Sequence, residues 1–195
     1  MKPITKTDIL SFQDWERVRA RLRPLFIHEK EYRRLSVGAH LTFLFENAQT
    51  VWYQIQEMIR TERMTDAAAI QSEIDTYNEL IPGPDELSAT MLIEYADTGE
   101  RDAALKRLIG LERHLWIKIG DRKNAVTFDT RQMSSNAISA VQFVRVPIAP
   151  ATADQFEKLC SEGRVSIEVD HPSFGAQGHI TGTLARYLVE DLRAA

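Results

Sequence analysis

Apolar residues recur every three or four positions near the start of the chain. This spacing predicts an amphipathic helix that begins near Thr7 and Asp8 and runs to about Arg23. Its apolar stripe consists of Phe12, Trp15, Val18 and Leu22. Pro24 lacks the N–H that an interior helical residue donates, so the helix should end or kink there. A second helical segment over 25–34 would follow.

Alternating apolar and polar residues then predict a β-hairpin. The first strand spans 40–46 and follows a turn over 36–38. The residues expected on its buried face are Leu41, Phe43 and Phe45. Residues 46–49 are expected to reverse the chain. The run from 50 to 55 is rich in β-branched and aromatic residues, which favours a second strand.

Helical composition returns after the predicted hairpin. Residues 56–63 are expected to be helical, and Thr65 or Asp66 would cap a further helix that runs to about Leu80. The apolar stripe of that helix consists of Ile70, Ile74, Tyr77 and Ile81. The segment Pro82-Gly83-Pro84 should stop the helix, because proline lacks the backbone donor that a helix needs.

The second half of the chain mixes predicted strands with short helices. The predicted strands span 87–95, 114–119, 125–130, 140–148 and 165–169. The predicted helices span 99–108 and 152–163, and a last helix begins at Gly182 or Thr183. This order lacks a regular β-α-β rhythm and favours an α+β fold, with a mostly antiparallel or mixed sheet and about five to six helices. We expect a single compact domain over residues 1–195, with a sub-boundary near 82–84.

Composition narrows the class of protein. The chain has 195 residues, of which 44% are hydrophobic and 27% charged, close to an average globular domain. Its single cysteine, Cys160, cannot form an internal disulfide, which suits a reducing compartment. No apolar run approaches the roughly 20 residues that span a bilayer, and the first ten residues are too polar for a signal peptide. We therefore expect a cytoplasmic protein without a membrane partner.

Charge is distributed unevenly along the chain. The formal net charge is −4, so no nucleic-acid partner is expected, because such binders are more often basic. Residues 1–34 nevertheless carry +4, which leaves −8 on the rest. One interpretation is a solvated helix with paired charges. The other is a site for an anion or an acidic partner, with Arg33 and Arg34 as candidate anion-binding residues, because arginine grips carboxylate or phosphate at two points.

Common catalytic motifs are absent from the sequence. It contains no glycine-rich nucleotide loop, no G-x-S-x-G elbow, and no C-x-x-C or H-E-x-x-H zinc motif. Cys160 lies late in a predicted helix and is expected to be a buried, unreactive thiol. The remaining candidates for chemistry are therefore clusters of polar residues.

Two polar clusters fall where predicted elements meet. Glu57 and Arg60 follow the predicted second strand, and their spacing allows an ordinary ion pair on a helix. Residues of binding and catalytic sites are also common at such junctions. Tyr77, Asn78 and Glu79 lie where a helix ends against proline, so they either cap the turn or belong to a site.

A third group consists of residues that could bind a metal. Glu94 lies on the same side of a predicted strand as Leu92, so we expect it to be buried with a partner. His171 follows Asp170, which either begins a turn or orients the imidazole. Carboxylates and a histidine together suit iron or manganese, although the spacing does not require such a site. The residues that could converge are Glu57, Glu62, Glu79 and Glu94, with His40 or His171.

Six segments of the chain occur in the order of a bacterial family. They are FEN at 45–47, QIQEMIR at 54–60, YNELIP at 77–82, LSAT at 87–90, SAVQFVR at 139–145 and DHP at 170–172. The chain therefore resembles the DUF3501 family of unknown function over nearly its whole length, with a polar, insertion-like stretch from Lys123 to Asn136. The resemblance supplies no reaction and no site residue. It implies genes near those for rubrerythrin and an iron–sulfur oxidoreductase, and hence an accessory role in redox or peroxide defence.

Three functions remain open from the sequence. We favour a non-catalytic accessory or interaction protein of a redox system, bound to a protein partner or to a second copy of the chain. One alternative is an iron- or manganese-dependent enzyme, whose site would consist of Glu57, Glu79, Glu94 and His171. The other is a small-molecule binding domain, in which Arg33, Arg34 or Arg60 clamps an anion beside Tyr77 and Asn78.

Overall fold

The computed structural model describes residues 1–129 and 136–195. Within these ranges the helices are α1 (Phe12–Tyr32), α2 (Ala48–Thr61), α3 (Ala67–Asn78), α4 (Thr98–Arg107), α5 (Ala153–Ser161) and α6 (Gly182–Ala194). The strands are β1 (Arg34–Val37), β2 (Leu41–Glu46), β3 (Glu86–Ile93), β4 (Leu115–Ile119), β5 (Arg122–Ala125), β6 (Thr127–Phe128), β7 (Val141–Pro147), β8 (Val165–His171) and β9 (Phe174–His179). No helix in the described ranges is both long and apolar enough to cross a bilayer.

The strands form two antiparallel sheets. The first has the order β1-β2-β3-β7-β6, and the second has the order β5-β4-β8-β9. In the first sheet β3 lies at the centre, so that Ser88 pairs with Glu46 of β2 on one side and with Arg145 of β7 on the other. Helices and antiparallel sheets in this arrangement confirm the α+β expectation.

Alternate residues of both sheets contribute to one large hydrophobic core. Phe43 and Phe45 of β2 are fully buried, as are Leu115 and Ile117 of β4. The alternation predicted for these strands is therefore confirmed, because it places every second side chain on the buried face. Phe156 of α5 completes this core from the helical side.

A second, smaller cluster lies between the helices α2 and α3. It contains Val51, Ile55 and Ile59 of α2 and Ile74 of α3, and Phe143 of β7 packs against it. Phe143 pairs with Thr90, so both belong to the face of the first sheet opposite to the main core. The helices thus cover part of the outer face of that sheet.

Helix α1 does not end at Pro24, so the end expected there is wrong, and the helical segment expected over 25–34 is the second part of α1. The helix begins after Ser11, whose side chain accepts a hydrogen bond from the N–H of Asp14 at 3.1 Å, and it continues to Tyr32. A proline removes one helical hydrogen bond. Packing on both sides of it maintains the helix here, because Trp15 and Phe26 both contact aromatic rings of α2.

The predicted second strand over 50–55 is also wrong, since these residues belong to α2. The Asn47 side chain accepts hydrogen bonds from the N–H groups of Gln49 and Thr50 at 3.0 and 2.9 Å, which caps a helix rather than closing a hairpin. The β-branched residues Val51 and Ile55 are four apart and enter the second cluster together. Tertiary packing therefore overrides their strand propensity.

Three smaller differences concern strand boundaries. The turn predicted over 36–38 is mostly strand β1, and the chain reverses at Gly38, where φ is +65°. Strand β8 extends to His171, so Asp170 and His171 lie in a strand rather than a turn. The strand predicted over 125–130 is divided between β5 and β6, and residues 130–135, within the insertion-like stretch, lie outside the described residues.

Strand β9 was not expected, because its sequence contains two glycines. Gly178 is required by the close approach of β9 to β1. A Cβ atom at this position would lie only 2.6 Å from the carbonyl oxygen of Ser36. The glycine that weakens the sequence signal for a strand thus permits the contact between the two sheets.

Candidate functional site

Glu57 and Arg60 are parts of the contact between α1 and α2. The Glu57 carboxylate accepts hydrogen bonds from Arg19 at 2.7 Å to each oxygen and from the indole N–H of Trp15 at 2.9 Å. These donors, Arg19 above all, hold the pKa of Glu57 below its usual value. Arg60 pairs with Glu16 of α1. The pair expected between Glu57 and Arg60 within one helix is thus replaced by two ion pairs that connect α2 with α1.

Asn78 and Glu79 are engaged at the end of α3. The Asn78 side chain exchanges two hydrogen bonds of 2.8 Å with the backbone of Ile4 and thereby fixes the N-terminal segment. The carbonyl oxygen of Glu79 accepts a hydrogen bond from Arg145 of β7. Tyr77 differs from its neighbours, because its half-buried ring lines a cavity described below.

Glu94 is exposed and follows the last residue of β3, so the expectation of a buried carboxylate was wrong. The alternation that pairs it with Leu92 ends with the strand at Ile93. Its backbone, and not its carboxylate, makes the contacts: the N–H donates to the carbonyl of His40 at 2.8 Å. No destabilisation through a lost buried partner is therefore expected from Glu94→Ala.

His171 is buried, and both of its ring nitrogens have partners. Nε2 lies 3.2 Å from the carbonyl oxygen of Ile109, and Nδ1 accepts from the N–H of Ser173 at 3.1 Å. Asp170 instead contacts His114, with 3.0 Å between Oδ1 and Nδ1. No pattern along the chain connects His114 with Asp170, since they are 56 positions apart. The structure thus orients His114, and not His171, by a carboxylate.

The candidate metal ligands do not meet. In the part of the chain that the structure describes, no group of three or more His, Cys, Asp or Glu side chains is placed to hold a metal ion. Glu57 is bound to Arg19, Glu94 lies beside His40 at the end of β3, and His171 contacts backbone groups near α4. The sequence therefore grouped residues that the fold separates.

The predicted anion-binding residues Arg33 and Arg34 have different environments. Arg33 is buried and contacts Glu29 at 2.6 Å and Asp191 of α6 at 2.5 and 3.1 Å. Asn47 also donates to Asp191, at 3.1 Å. Arg33 is thus part of an internal ionic network and has no access to an external anion, whereas Arg34 is exposed.

The thiol of Cys160 is buried in the main core, as expected. Burial raises its pKa to about 12. The thiolate form is therefore scarce at neutral pH, and this side chain acts as a small apolar residue.

A cavity of about 690 Å³ lies between α3 and the outer face of the first sheet, and we call it the α3–β7 cleft. Its apolar lining consists of Met58, Tyr77, Leu80, Phe128, Phe143 and Val144. Its polar lining consists of Glu73, Thr76, Glu79, Ser88, Asp129 and Arg145. The volume is within the usual range for a small-molecule site. Of the predicted site residues, Tyr77 and Glu79 are the two that reach it.

Two residues near this cleft were missed from the sequence. Arg145 of β7 donates from Nη1 to the carbonyl of Ile81 and to Glu86, both at 2.9 Å. Glu46 is 2% exposed, and its carboxylate accepts from Thr50 at 2.5 Å and from Thr90 at 2.8 Å. Each is a charged residue in or at the end of an apolar strand. This contrast is the feature of the sequence that could have identified them.

Helix α1 provides the second candidate surface. Six large apolar residues are exposed in the described chain, and four of them lie in this helix: Phe12, Leu25, Ile27 and Tyr32. Leu25 also lines a groove of about 680 Å³ between α1, α2 and the N-terminal segment. The apolar lining of the groove consists of Ile4, Leu22, Leu25, Phe26, Ala48 and Trp52.

Comparison with known proteins identifies a family and no activity. The family model described as "Protein of unknown function (DUF3501)" matches residues 3–192. A crystal structure of a protein of unknown function from Burkholderia pseudomallei K96243 is 32% identical, with a TM-score of 0.87, and the match covers 98% of this chain and 100% of that chain. No curated protein matches the sequence. The match to the family model over nearly the whole chain shows that this protein belongs to the DUF3501 family.

Proposed function

We propose that the protein is a non-catalytic interaction protein that binds an acidic, amphipathic segment of a partner along α1. The observation that carries this proposal is the concentration of exposed apolar side chains on one helix. Only Trp15 of the 21 residues of α1 is fully buried. Leu25 is 62% exposed and Ile27 is 41% exposed. Apolar side chains concentrated on a surface are typical of protein interaction sites.

The groove beside α1 provides a place for an apolar side chain of the partner. Leu25 and Phe26 form one wall, and Trp52 of α2 forms the other. The indole N–H of Trp52 donates to the carbonyl oxygen of Asp8 at 2.8 Å, which fixes its ring. A rigid aromatic wall of this kind can act as an anchor without losing much conformational entropy on binding.

Unpaired arginines on and beside α1 favour an acidic partner. Arg17, Arg19 and Arg33 form ion pairs within the protein. Arg21, Arg23 and Arg34 are exposed, and each forms no ion pair with the residues that the structure describes. Opposite charge on a partner would both steer its approach and fix its orientation.

The redox part of the sequence-based expectation remains a prediction. The resemblance to DUF3501 implies an accessory role beside redox proteins, and neither the family description nor the related structure names a reaction or a partner. A partner from such a system would have to present acidic residues next to an apolar stripe.

The test uses a labelled helical peptide of about 18 residues, with leucines on one face and glutamates on the other, the minimal form of the proposed partner. Fluorescence anisotropy should show binding that weakens as salt is raised. Leu25→Asp and Arg21→Glu should each weaken binding about tenfold or more. Ile109→Asp is the matched control, because Ile109 is 43% exposed and lies outside α1.

Three results would contradict the proposal. Equal binding of a peptide with lysines in place of glutamates would show that the exposed arginines do not select an acidic partner. Failure of both peptides to bind would show that α1 does not bind an amphipathic helical segment. A dimer in sedimentation that Leu25→Asp dissociates would show that a second copy of the chain, and not another protein, covers α1.

A further inference from the structure

The α3–β7 cleft has a lining that does not fit the anionic ligand expected from the arginine-based prediction. Among the described lining residues Arg145 is the one cation. Its guanidinium is already engaged by the carbonyl oxygens of Ile81 and Glu79 and by the carboxylate of Glu86. An anion would have to compete with these three acceptors.

Two carboxylates in and beneath the cleft, by contrast, have no cation partner among the residues that the structure describes. Glu73 of α3 is half-buried in the lining, and it has no hydrogen bond or ion pair with the described residues. Glu79 and Asp129 also line the cleft, but both have interactions of their own. The proposed site does not depend on their charges. Glu73 thus contributes the accessible carboxylate.

A second carboxylate lies directly behind the lining. Glu46 is the antiparallel partner of Ser88, and Ser88 lines the cleft. The donors to Glu46 are the hydroxyls of Thr50 and Thr90, and no cation pairs with it among the described residues. Burial of an unneutralised carboxylate is unfavourable, so a positive charge brought near it would be bound more strongly than at the surface.

Tyr77 lies in the same lining as Glu73. Burial is the main cause of its raised pKa; a hydrogen bond with Gln54 lowers this pKa, and the negative charges of Glu73 and Glu46 make smaller contributions that raise it. Tyr77, Phe128 and Phe143 supply aromatic rings to the lining. Aromatic faces attract organic cations, which also bury their apolar parts in such a cavity.

We propose that the α3–β7 cleft binds a small organic cation, an amine or quaternary ammonium with an apolar body. The charged nitrogen would lie near Glu73 and above Ser88, within the field of Glu46. The apolar body would lie against Phe128 and Phe143. This site is separate from α1, and neither proposal depends on the other.

Isothermal titration calorimetry with three matched probes tests the charge requirement. Tryptamine is cationic, tryptophol is its neutral analogue and indole-3-propionate is anionic. Tryptamine should bind at least about tenfold more tightly than either analogue. Two further cations, 2-phenylethylamine and benzyltrimethylammonium, extend the test to other apolar bodies.

Substitutions locate the site. Glu73→Gln should weaken tryptamine about tenfold and leave tryptophol unchanged, because it removes charge and keeps shape. Glu46→Gln should act in the same direction, since its amide oxygen can still accept from one threonine and its amide N–H can donate to the hydroxyl oxygen of the other. Glu190→Gln, at an exposed position of α6, is the control and should change nothing. If Glu46→Gln fails to fold, Glu73→Gln still decides the question.

Each result of these titrations either supports the cation site or overturns it. Preference for the cation that Glu73→Gln abolishes supports the proposal. Binding of none of the three cations at millimolar concentration overturns it, as does equal or tighter binding of the anion. A cation preference that Glu73→Gln leaves intact would place the site elsewhere and would also overturn it.

Discussion

Carboxylates in this chain differ mainly in what surrounds each of them. Glu57 is held by Arg19 and Trp15, Glu94 is in solvent, and Glu46 is buried among hydroxyl groups. The sequence identified the first two as equal candidates and did not mark the third. Spacing along a helix or strand shows which face a residue occupies, but partners 38 or 44 positions away cannot be derived from it.

Glu57→Gln should reduce stability in a pH-dependent way. The folded-state pKa of Glu57 is lowered relative to about 4.5, so its contribution is present above that pH and is lost as pH falls through the folded-state value. At pH 7 we expect a loss of about 1–3 kcal/mol in the free energy of unfolding. Urea unfolding from pH 7 to pH 3 measures it.

The difference between the wild type and Glu57→Gln should shrink toward the acid end of that range. Glu190→Gln is the control, because its carboxylate is exposed. A difference that stays constant down to pH 3 would show that the ion pair with Arg19 does not account for the loss.

At the scale of elements, the periodicity of apolar and polar residues predicted most strands well and the N-terminal helices less well. The buried alternation of β2, β4 and β8 was predicted, as were the helices α3 to α6 within a few residues. The error at α2 arose because valine, tryptophan, tyrosine and isoleucine favour strands locally, whereas here they pack against α1 and α3. The error at Pro24 arose because the packing of Trp15 and Phe26 on α2 maintains the helix on both sides of the proline.

Trp15→Ala should lower the stability of the protein by removing much of the packing between α1 and α2. Trp15 is 1% exposed, packs edge-on against Trp52 and Tyr53, and donates to Glu57. We expect a loss of roughly 3–5 kcal/mol, the range for large aromatic side chains in a core. Thermal and urea unfolding measure it, with Trp116→Ala as a half-buried comparison. A loss under about 1 kcal/mol would show that α1 is not packed as described.

At the scale of the whole molecule, one buried ionic network connects distant parts of the chain. Arg33 at the end of α1 and Asp191 of α6 are 158 positions apart, and Asn47 joins them at the start of α2. Neither this network nor the pairing of strands into two sheets could be predicted, because both depend on contacts between residues far apart in sequence. The family could be identified, since several segments in fixed order carry that information without any structure.

Asp191→Ala should be strongly destabilising, by about 3–5 kcal/mol, because it leaves a buried guanidinium without its main partner. The double variant Arg33→Met with Asp191→Leu should recover part of this loss, since it removes both of the buried charges and leaves only Glu29 and Asn47 to find other partners. Urea unfolding of both variants measures the difference. A double variant as unstable as the single one would show that the network stabilises the fold through its hydrogen bonds, and not only by neutralising charge.

Position 145 should accept fewer substitutions in related proteins than the positions of the residues that Arg145 contacts. Two of its three acceptors, at Glu79 and Ile81, are backbone carbonyl oxygens, which every amino acid provides. Substitutions at 79 or 81 therefore keep the acceptor, whereas almost any change at 145 removes the donor. As the family diverges, drift should be tolerated in the side chains at the end of α3 and resisted at the arginine that holds their backbone.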